Sequence, residues 1–453
     1  MTNIETLSQR SATAIGRALM AGETTATALA EYYLSKTDSP EAESVYISVT
    51  RERALREAAA ADKRIAAGRP LSALDGVPIV WKDLIDLEGE ITTAASETRR
   101  NDPPAARDAN IAGHGGMVCL GKTNLTEFAY SGIGLNPHFG TPKNPHSPGE
   151  PCIPGGSSSG TAVAIAANLA PCGIGTDTGG SVRAPAAFTG VVGYKTSEGR
   201  IDKDGVAALS TTLDTVGPLA RSVEDCTLID MIMRGATTSD VYRHDLRDAM
   251  IFVPETVALD DLDDAVAANF EASLKRLEKA GAKLERGPLQ PFADVMQMSA
   301  DHGNLVAVEA YYLHKELLDS PDGAKVDPRV VARINGGKTM SAHSYHSILV
   351  ERERLIEACW SLVGDRLIAM PTVAMTAPEI APLEADADLF GRMNLKALRN
   401  TMLGNMLDLC GLAIPNGTDA SGLPTSFLLS SLGGDDERLL GFGLSAEDVI
   451  RGA

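Results

Sequence analysis

One large α/β domain is the fold class that three features of this 453-residue chain predict. Short apolar runs bounded by turn residues alternate with longer segments of helical period. A Gly-, Pro- and Ser-rich stretch at 131–160 runs directly into an apolar helix of small residues. Nothing in the composition marks a linker, so a single domain over 1–453 is favoured over the two that the length would also allow.

The elements follow in order. Residues 1–70 read as helical, with Ala-rich segments such as Arg51 to Ala67 carrying helical period and charge pairing. After Gly76, the run Val77 to Trp81 is short and apolar and predicts a buried strand with Lys82 at its carboxyl end. Residues 116–121 form a second strand candidate. The stretch 131–160 is too polar and too rich in Pro for regular structure, and a loop of that length in a compact domain is usually functional or disordered. Thr161 to Ala170 predicts a buried helix, because small residues surround it on every side. Leu262 to Ala280 is an amphipathic helix ending before Gly281, residues 300–365 hold further helices, and Arg366 to Met370 form a strand closed by Pro371.

Composition narrows the function. The hydrophobic fraction of 44% supplies a large core without disulfides or metal. The formal net charge of -19 opposes direct binding to nucleic acid or an anionic membrane. Acidic runs such as Asp260 to Asp264 read as solvated helix starts. Six scattered cysteines without a C-x-x-C pair predict reduced thiols and a cytoplasmic location. The amino-terminal segment, with Glu5 and no long apolar run, reads as a surface helix and not as a signal peptide. No stretch has the roughly 20 apolar residues of a membrane span. The eight histidines, at 114, 138, 146, 244, 302, 314, 343 and 346, show no metal-ligand spacing, and His343 and His346 read as surface residues. No metal or cofactor is expected.

Three motifs carry chemistry. Lys82 ends an apolar strand. Alone it reads as a surface lysine with a buried stem; as a base it must be neutral, which requires burial. The segment Gly155-Gly-Ser-Ser-Ser-Gly160 is not a phosphate loop, because no Gly-Lys-Ser/Thr follows. It matches a nucleophile elbow centred on Ser158, but the Pro-rich residues before it make a poor strand, which argues against that reading. The segment Gly175-Thr-Asp-Thr-Gly-Gly-Ser181 allows successive N–H groups to converge on an anion. If Ser181 attacks a carbonyl, the N–H groups of Thr178, Gly179, Gly180 and Ser181 form an oxyanion hole. The plain alternative is a tight turn with an exposed serine. No histidine sits in a turn-constrained motif, and Ser–Lys variants of the Ser-His-Asp triad exist.

With these residues in place, the stretch Leu74 to Val223 resembles the amidase signature family. LDGVPIVWKDLIDLEG, GGSSSGTAVAIAANLAPCGIGTDTGGSVRAPAA and LDTVGPLARSVEDC match its blocks in order, and a weaker likeness continues through LIAMPTVAMTAPEI and MLDLCGLAIPNGTDASGLPTSF. The resemblance implies a central mixed β-sheet covered by helices on both faces. It also implies a signature core at about 74–223 and a helical, substrate-pocket region at about 224–453. Lys82 then matches the catalytic lysine, Ser157 the bridging serine after a cis peptide bond, and Ser181 the acylated nucleophile. Asp177 and Arg183 match positions that brace the nucleophile loop, with Ser158 in support. Phe128, Tyr130, Met375 and Glu379 fall in segments that line the family's pocket. Trp81 and the run Tyr194-Lys195-Thr196-Ser197 depart from the common pattern.

The implied activity is hydrolysis of a small-molecule carboxamide, without cofactor, releasing ammonia or an amine. Such enzymes are commonly dimers, and a homodimer is the assembly this suggests. The alternative is the glutaminase subunit of a tRNA-dependent amidotransferase, whose members usually carry Gln at the position of Ala184. A non-catalytic scaffold on the same fold is disfavoured by the full Lys-Ser-Ser set.

Overall fold

The protein, described by a computed structural model over residues 3–113, 115–236 and 240–452, is built on an eleven-stranded mixed sheet flanked by helices. His114 lies outside the described residues. In chain order the strands are β1 (Tyr46–Val49), β2 (Pro78–Lys82), β3 (Val118–Thr123), β4 (Cys172–Asp177), β5 (Val192–Lys195) and β6 (Thr215–Ala220). They continue with β7 (Met250–Pro254), β8 (Lys283–Gly287), β9 (Leu367–Pro371), β10 (Cys410–Thr418) and β11 (Pro424–Ser431). Their spatial order is β1-β3-β2-β4-β6-β5-β10-β11-β9-β7-β8.

The apolar run before Lys82 is β2, and all five of its residues are buried. It pairs in parallel with both β3 and β4, Trp81 standing opposite Ile174. Parallel neighbours bring their carboxyl ends to one edge, where open α/β sheets hold their ligands. That edge carries Lys82 at the end of β2 and, after Asp177 at the end of β4, the turn that leads to Ser181.

The small-residue helix forms over Ser159–Ala166, with seven of its eight residues buried. Its composition is explained by proximity. A Cβ on Gly160 would stand 2.6 Å from both Asn124 N and Val45 O, so the helix start rests directly on two backbone segments. The loop 131–160 is ordered by the groups it wraps; Asn144 Nδ2, for example, donates to the Ile153 and Phe188 carbonyls at 3.1 and 2.8 Å.

The expected helix at 262–280 runs over Asp264–Lys279, and the strand before Pro371 is β9. The amino-terminal 70 residues are not wholly helical. Tyr46–Val49 forms β1, an edge strand antiparallel to β3, since its β-branched pair Ile47 and Val49 suits a pleated surface better than a helix. The acidic run at 260–264 does more than face solvent: Asp261 and Asp263 both hold Lys396 Nζ, at 3.2 and 3.1 Å.

The departures at Trp81 and Tyr194–Ser197 lie in the core. The Tyr194 and Ser197 hydroxyls donate to Asp436, tying β5 to the carboxyl-terminal helix Asp436–Arg451. All six cysteines are unpaired and buried. Among the described residues no helix is long and apolar enough to cross a membrane.

Gly160→Ala should force the helix off Asn124 and Val45, lowering stability by about 1–3 kcal/mol in urea unfolding. An unchanged midpoint would show that the backbone contact is not tight.

Candidate active site

Lys82 is fully buried. Its Nζ donates to Ser157 Oγ at 2.7 Å and to Thr176 Oγ1 at 2.8 Å. Both partners are neutral hydroxyls. Burial disfavours the ammonium form and lowers the pKa from 10.5 to about 7, against the opposing pull of Asp214 and Asp177.

Among the described residues no carboxylate pairs with Lys82, because each one nearby is engaged elsewhere. Asp83, the next residue, forms a buried pair with Lys122 at 2.6 Å. Asp177 is held by Arg183, whose Nε and Nη2 donate at 3.0 and 2.9 Å. Asp214 accepts from the Thr178 hydroxyl at 2.5 Å and from the N–H groups of Leu209 and Ser210.

The peptide bond between Gly156 and Ser157 is cis. Ser157 offers its carbonyl to Thr126 N–H at 3.1 Å. Ser158 joins the two serine loops, its N–H donating to the Ser181 carbonyl at 3.1 Å and its Oγ to the Thr176 carbonyl at 3.4 Å. Ser181 Oγ bonds to no protein group among the described residues. Ser181 instead lines a narrow cavity together with Ser131, Thr178, Gly179, Leu209 and Arg333.

Asp177 organises the turn that carries Ser181. It accepts from the N–H groups of Gly180, Val182 and Arg183 as well as from the guanidinium. Burial alone would raise its pKa, but the Arg183 charge overrides this and holds the carboxyl well below the usual range. Gly180 takes a left-handed φ of +132°, and a Cβ there would collide with Thr401 Oγ1 at 2.1 Å.

Of the four N–H groups expected to form an oxyanion hole, that of Gly180 points at Asp177 Oδ1, 2.9 Å away, and is already used. The N–H groups of Thr178, Gly179 and Ser181 have no protein acceptor among the described residues.

Two supports were not apparent in the sequence. The helix Ala387–Met406 crosses the turn. Its Thr401 hydroxyl donates to the Gly179 carbonyl at 2.8 Å, and Asn405 Nδ2 donates to Asp177 Oδ1 at 2.9 Å. Thr176 and Asp214 complete the surroundings of Lys82 and Thr178.

The expected pocket residues are only partly brought together. Tyr130 lines the narrow cavity and also a larger adjoining one of about 460 Å³. Phe128 lines neither: the backbone is left-handed at Phe128 and Ala129, and the Phe128 ring packs against His314 with centroids 4.2 Å apart. Met375 is also absent from both, because it packs with Val373, Ala377 and Ile380 in a separate apolar cluster. Glu379 makes a backbone bridge to Cys152.

At one edge of this sheet stand a buried lysine and a serine in a Gly-rich turn, and the class of protein is an amide-bond hydrolase. The chain belongs to the amidase family, whose model matches residues 28–440. It is 33% identical to 2-amino-5-chloromuconic acid deaminase of Comamonas testosteroni over 88% of this chain and 87% of that protein. It is 31% identical to a glutamyl-tRNA(Gln) amidotransferase subunit of Chlamydia abortus over 97% and 95%. Among solved structures, an amidase superposes with a TM-score of 0.85 at 27% identity, covering 96% of this chain and 98% of that one. A chain from an inhibitor-bound vestigial protein complex, described as revealing the origins of an s-triazine catabolic enzyme, gives 0.85 at 26%, covering 97% and 98%.

Arg183→Met should leave Asp177 buried and unpaired. The expected loss is about 3–5 kcal/mol of stability in chemical denaturation, far more than a surface Arg→Met change. A loss below about 1 kcal/mol would mean that Asp177 is satisfied by its backbone donors and the Asn405 amide without the guanidinium.

Proposed function

We propose that the protein hydrolyses a small-molecule carboxamide through Ser181, Ser157 and Lys82, by way of an acyl-enzyme. The observation that carries this reading is Lys82: a buried amine 2.7 Å from the Ser157 hydroxyl, with no carboxylate partner among the described residues. Deprotonated, its Nζ keeps two N–H donors and one lone pair. An N–H satisfies Thr176, and the lone pair can accept the Ser157 proton.

In this mechanism Ser157 takes the proton of Ser181 as it gives its own to Lys82, and Ser181 Oγ bonds to the amide carbon. The N–H groups of Thr178, Gly179 and Ser181 hold the carbonyl oxygen as it gains charge. Lys82 then returns a proton through Ser157 to the leaving nitrogen, the C–N bond breaks, and ammonia or an amine departs. Water attacks the ester by the same relay, releasing the acid and restoring Ser181. Ser157 and Lys82 carry every proton in this route, which calls for no metal or cofactor. The six unpaired cysteines support a cytoplasmic location.

A second reading, a glutaminase subunit of an amidotransferase, is supported by the likeness to the Chlamydia abortus protein over nearly the whole of both chains. The free enzyme is preferred because Ala184 stands where such subunits usually carry Gln. Glutamine as the sole good substrate, with a co-purifying partner, would favour the second reading.

An alkyl fluorophosphonate should label Ser181. Ser181→Ala should abolish labelling, and Lys82→Met should cut amide turnover by at least about a thousandfold. Hydrolysis that survives in Ser181→Ala places the nucleophile elsewhere.

Lys82 serves as a base only when unprotonated, and its folded pKa lies below the ordinary value. The rate should therefore rise by about tenfold per pH unit up to pH about 7 and level off above it. A single-turnover acylation rate that is flat from pH 5 to 9 would exclude the lysine as base.

A further inference from the structure

Four non-glycine residues with a left-handed backbone stand together at the Ser181 cavity: Ala94, Ala95, Phe128 and Ala129, with φ of 51°, 52°, 51° and 61°. A side chain disfavours this conformation, which persists only where the surroundings impose it. The two strained pairs are bonded to one another, Phe128 N–H donating to the Ala94 carbonyl at 3.0 Å. Ala94 N–H in turn donates to the Asp83 carbonyl at 3.0 Å, one residue beyond Lys82. The turn at 128–129 delivers Ala129, Tyr130 and Ser131 to the cavity wall.

Glu127 precedes this turn and is fully buried. Its Oε2 accepts the Asp327 N–H at 2.6 Å, with His138 Nε2 3.4 Å away. Asp327 stands before the helix Pro328–Asn335 and caps it, its carboxylate accepting the Arg329 N–H at 2.9 Å. That helix carries Arg333, whose guanidinium lies over the Tyr130 ring, 4.4 Å from the centroid. Arg333 and Tyr130 both line the narrow cavity that contains Ser181. The Glu127–Asp327 bond therefore ties the roots of two segments whose tips meet at the cavity. Among the described residues no other hydrogen bond joins 127–131 to 327–335.

We infer that Glu127 is a positioning residue: through Asp327 it sets how the Tyr130 and Arg333 sides of the cavity stand to one another, and so how tightly substrate is gripped beside the reacting carbonyl. Glu127 makes no hydrogen bond to Lys82, Ser157 or Ser181, so it acts on binding and leaves the proton relay alone. The inference rests on the amidase reading for its word "substrate"; the tie between the two segments does not.

The test compares Glu127→Leu, which leaves the Asp327 N–H unpaired, with Glu127→Gln, whose amide oxygen can still accept it. Hydrogen exchange of the full chain reads the tie without reference to catalysis. Amides at 128–130 and 330–335 should exchange about tenfold or more faster in Glu127→Leu, with β2 and β4 unchanged and Glu127→Gln like the parent. Steady-state hydrolysis of hexanamide and benzamide reads the positioning. Glu127→Leu should raise KM about tenfold or more while kcat stays within about threefold. Labelling of Ser181 by the small diisopropyl fluorophosphate should keep its rate.

Unchanged exchange or an unchanged KM in Glu127→Leu would overturn the inference. So would parallel losses in KM, kcat and labelling, which a general loosening of the fold produces, or a Glu127→Gln variant as impaired as Glu127→Leu. If Glu127→Leu does not fold, Asp327→Pro takes its place, since the φ of -50° there suits proline, which lacks the N–H. Asp327→Ala then controls for the lost cap, and equal KM in the two would overturn the inference. A parent chain that neither hydrolyses amides nor takes the label would retire the amidase reading, while exchange still decides the tie.

Discussion

A lysine buried against two hydroxyls, with every nearby carboxylate engaged by another partner, is the constraint on which the site depends. Lys82 and Asp83 are neighbours in sequence, yet Asp83 is held by Lys122 while Lys82 turns to Ser157 and Thr176. An ion pair at Lys82 would keep the amine charged and useless as a base. The Asp83–Lys122, Asp177–Arg183 and Asp214–Thr178 contacts therefore matter as much for what they deny Lys82 as for what they hold together. Burial costs a charged amine several kcal/mol, and without compensation the group gives up its proton.

The same economy of partners shapes the turn that carries Ser181. Asp177 gathers the N–H groups of Gly180, Val182 and Arg183, which rotates the Gly180 donor away from the cavity and leaves those of Thr178, Gly179 and Ser181 for a ligand. Thr401 and Asn405 secure this arrangement from the helix Ala387–Met406. That helix also carries Asn394 and Arg399, so one element braces the turn and lines the adjoining cavity. Movement of this helix would disturb both together.

Much of this was legible in the chain. The apolar run before Lys82, the small-residue helix after the serines and the Gly-rich turn each have a local cause, and local causes can be read from neighbours in sequence. What escaped the reading depends on distant segments. Thr401 meets Gly179 across 222 positions, and nothing near either residue signals the meeting. The strand at Tyr46–Val49 lies between helical segments and owes its form to β3. Phe128 stands two residues from Tyr130 but is turned away by a left-handed backbone, and the segment of Met375 packs in a separate apolar cluster and lines neither cavity. The use of the Gly180 N–H by Asp177 is a matter of a single bond's direction, which composition does not encode.

The most direct measurement of a neutral Lys82 is its own titration. In protein labelled with 13C at the lysine ε-carbon, the Lys82 resonance can be assigned by its loss in Lys82→Arg. A buried amine between two hydroxyls should titrate near pH 7, some three units below the ordinary lysines. A Lys82 resonance that stays in the protonated position beyond pH 9 would contradict a lysine base in this site.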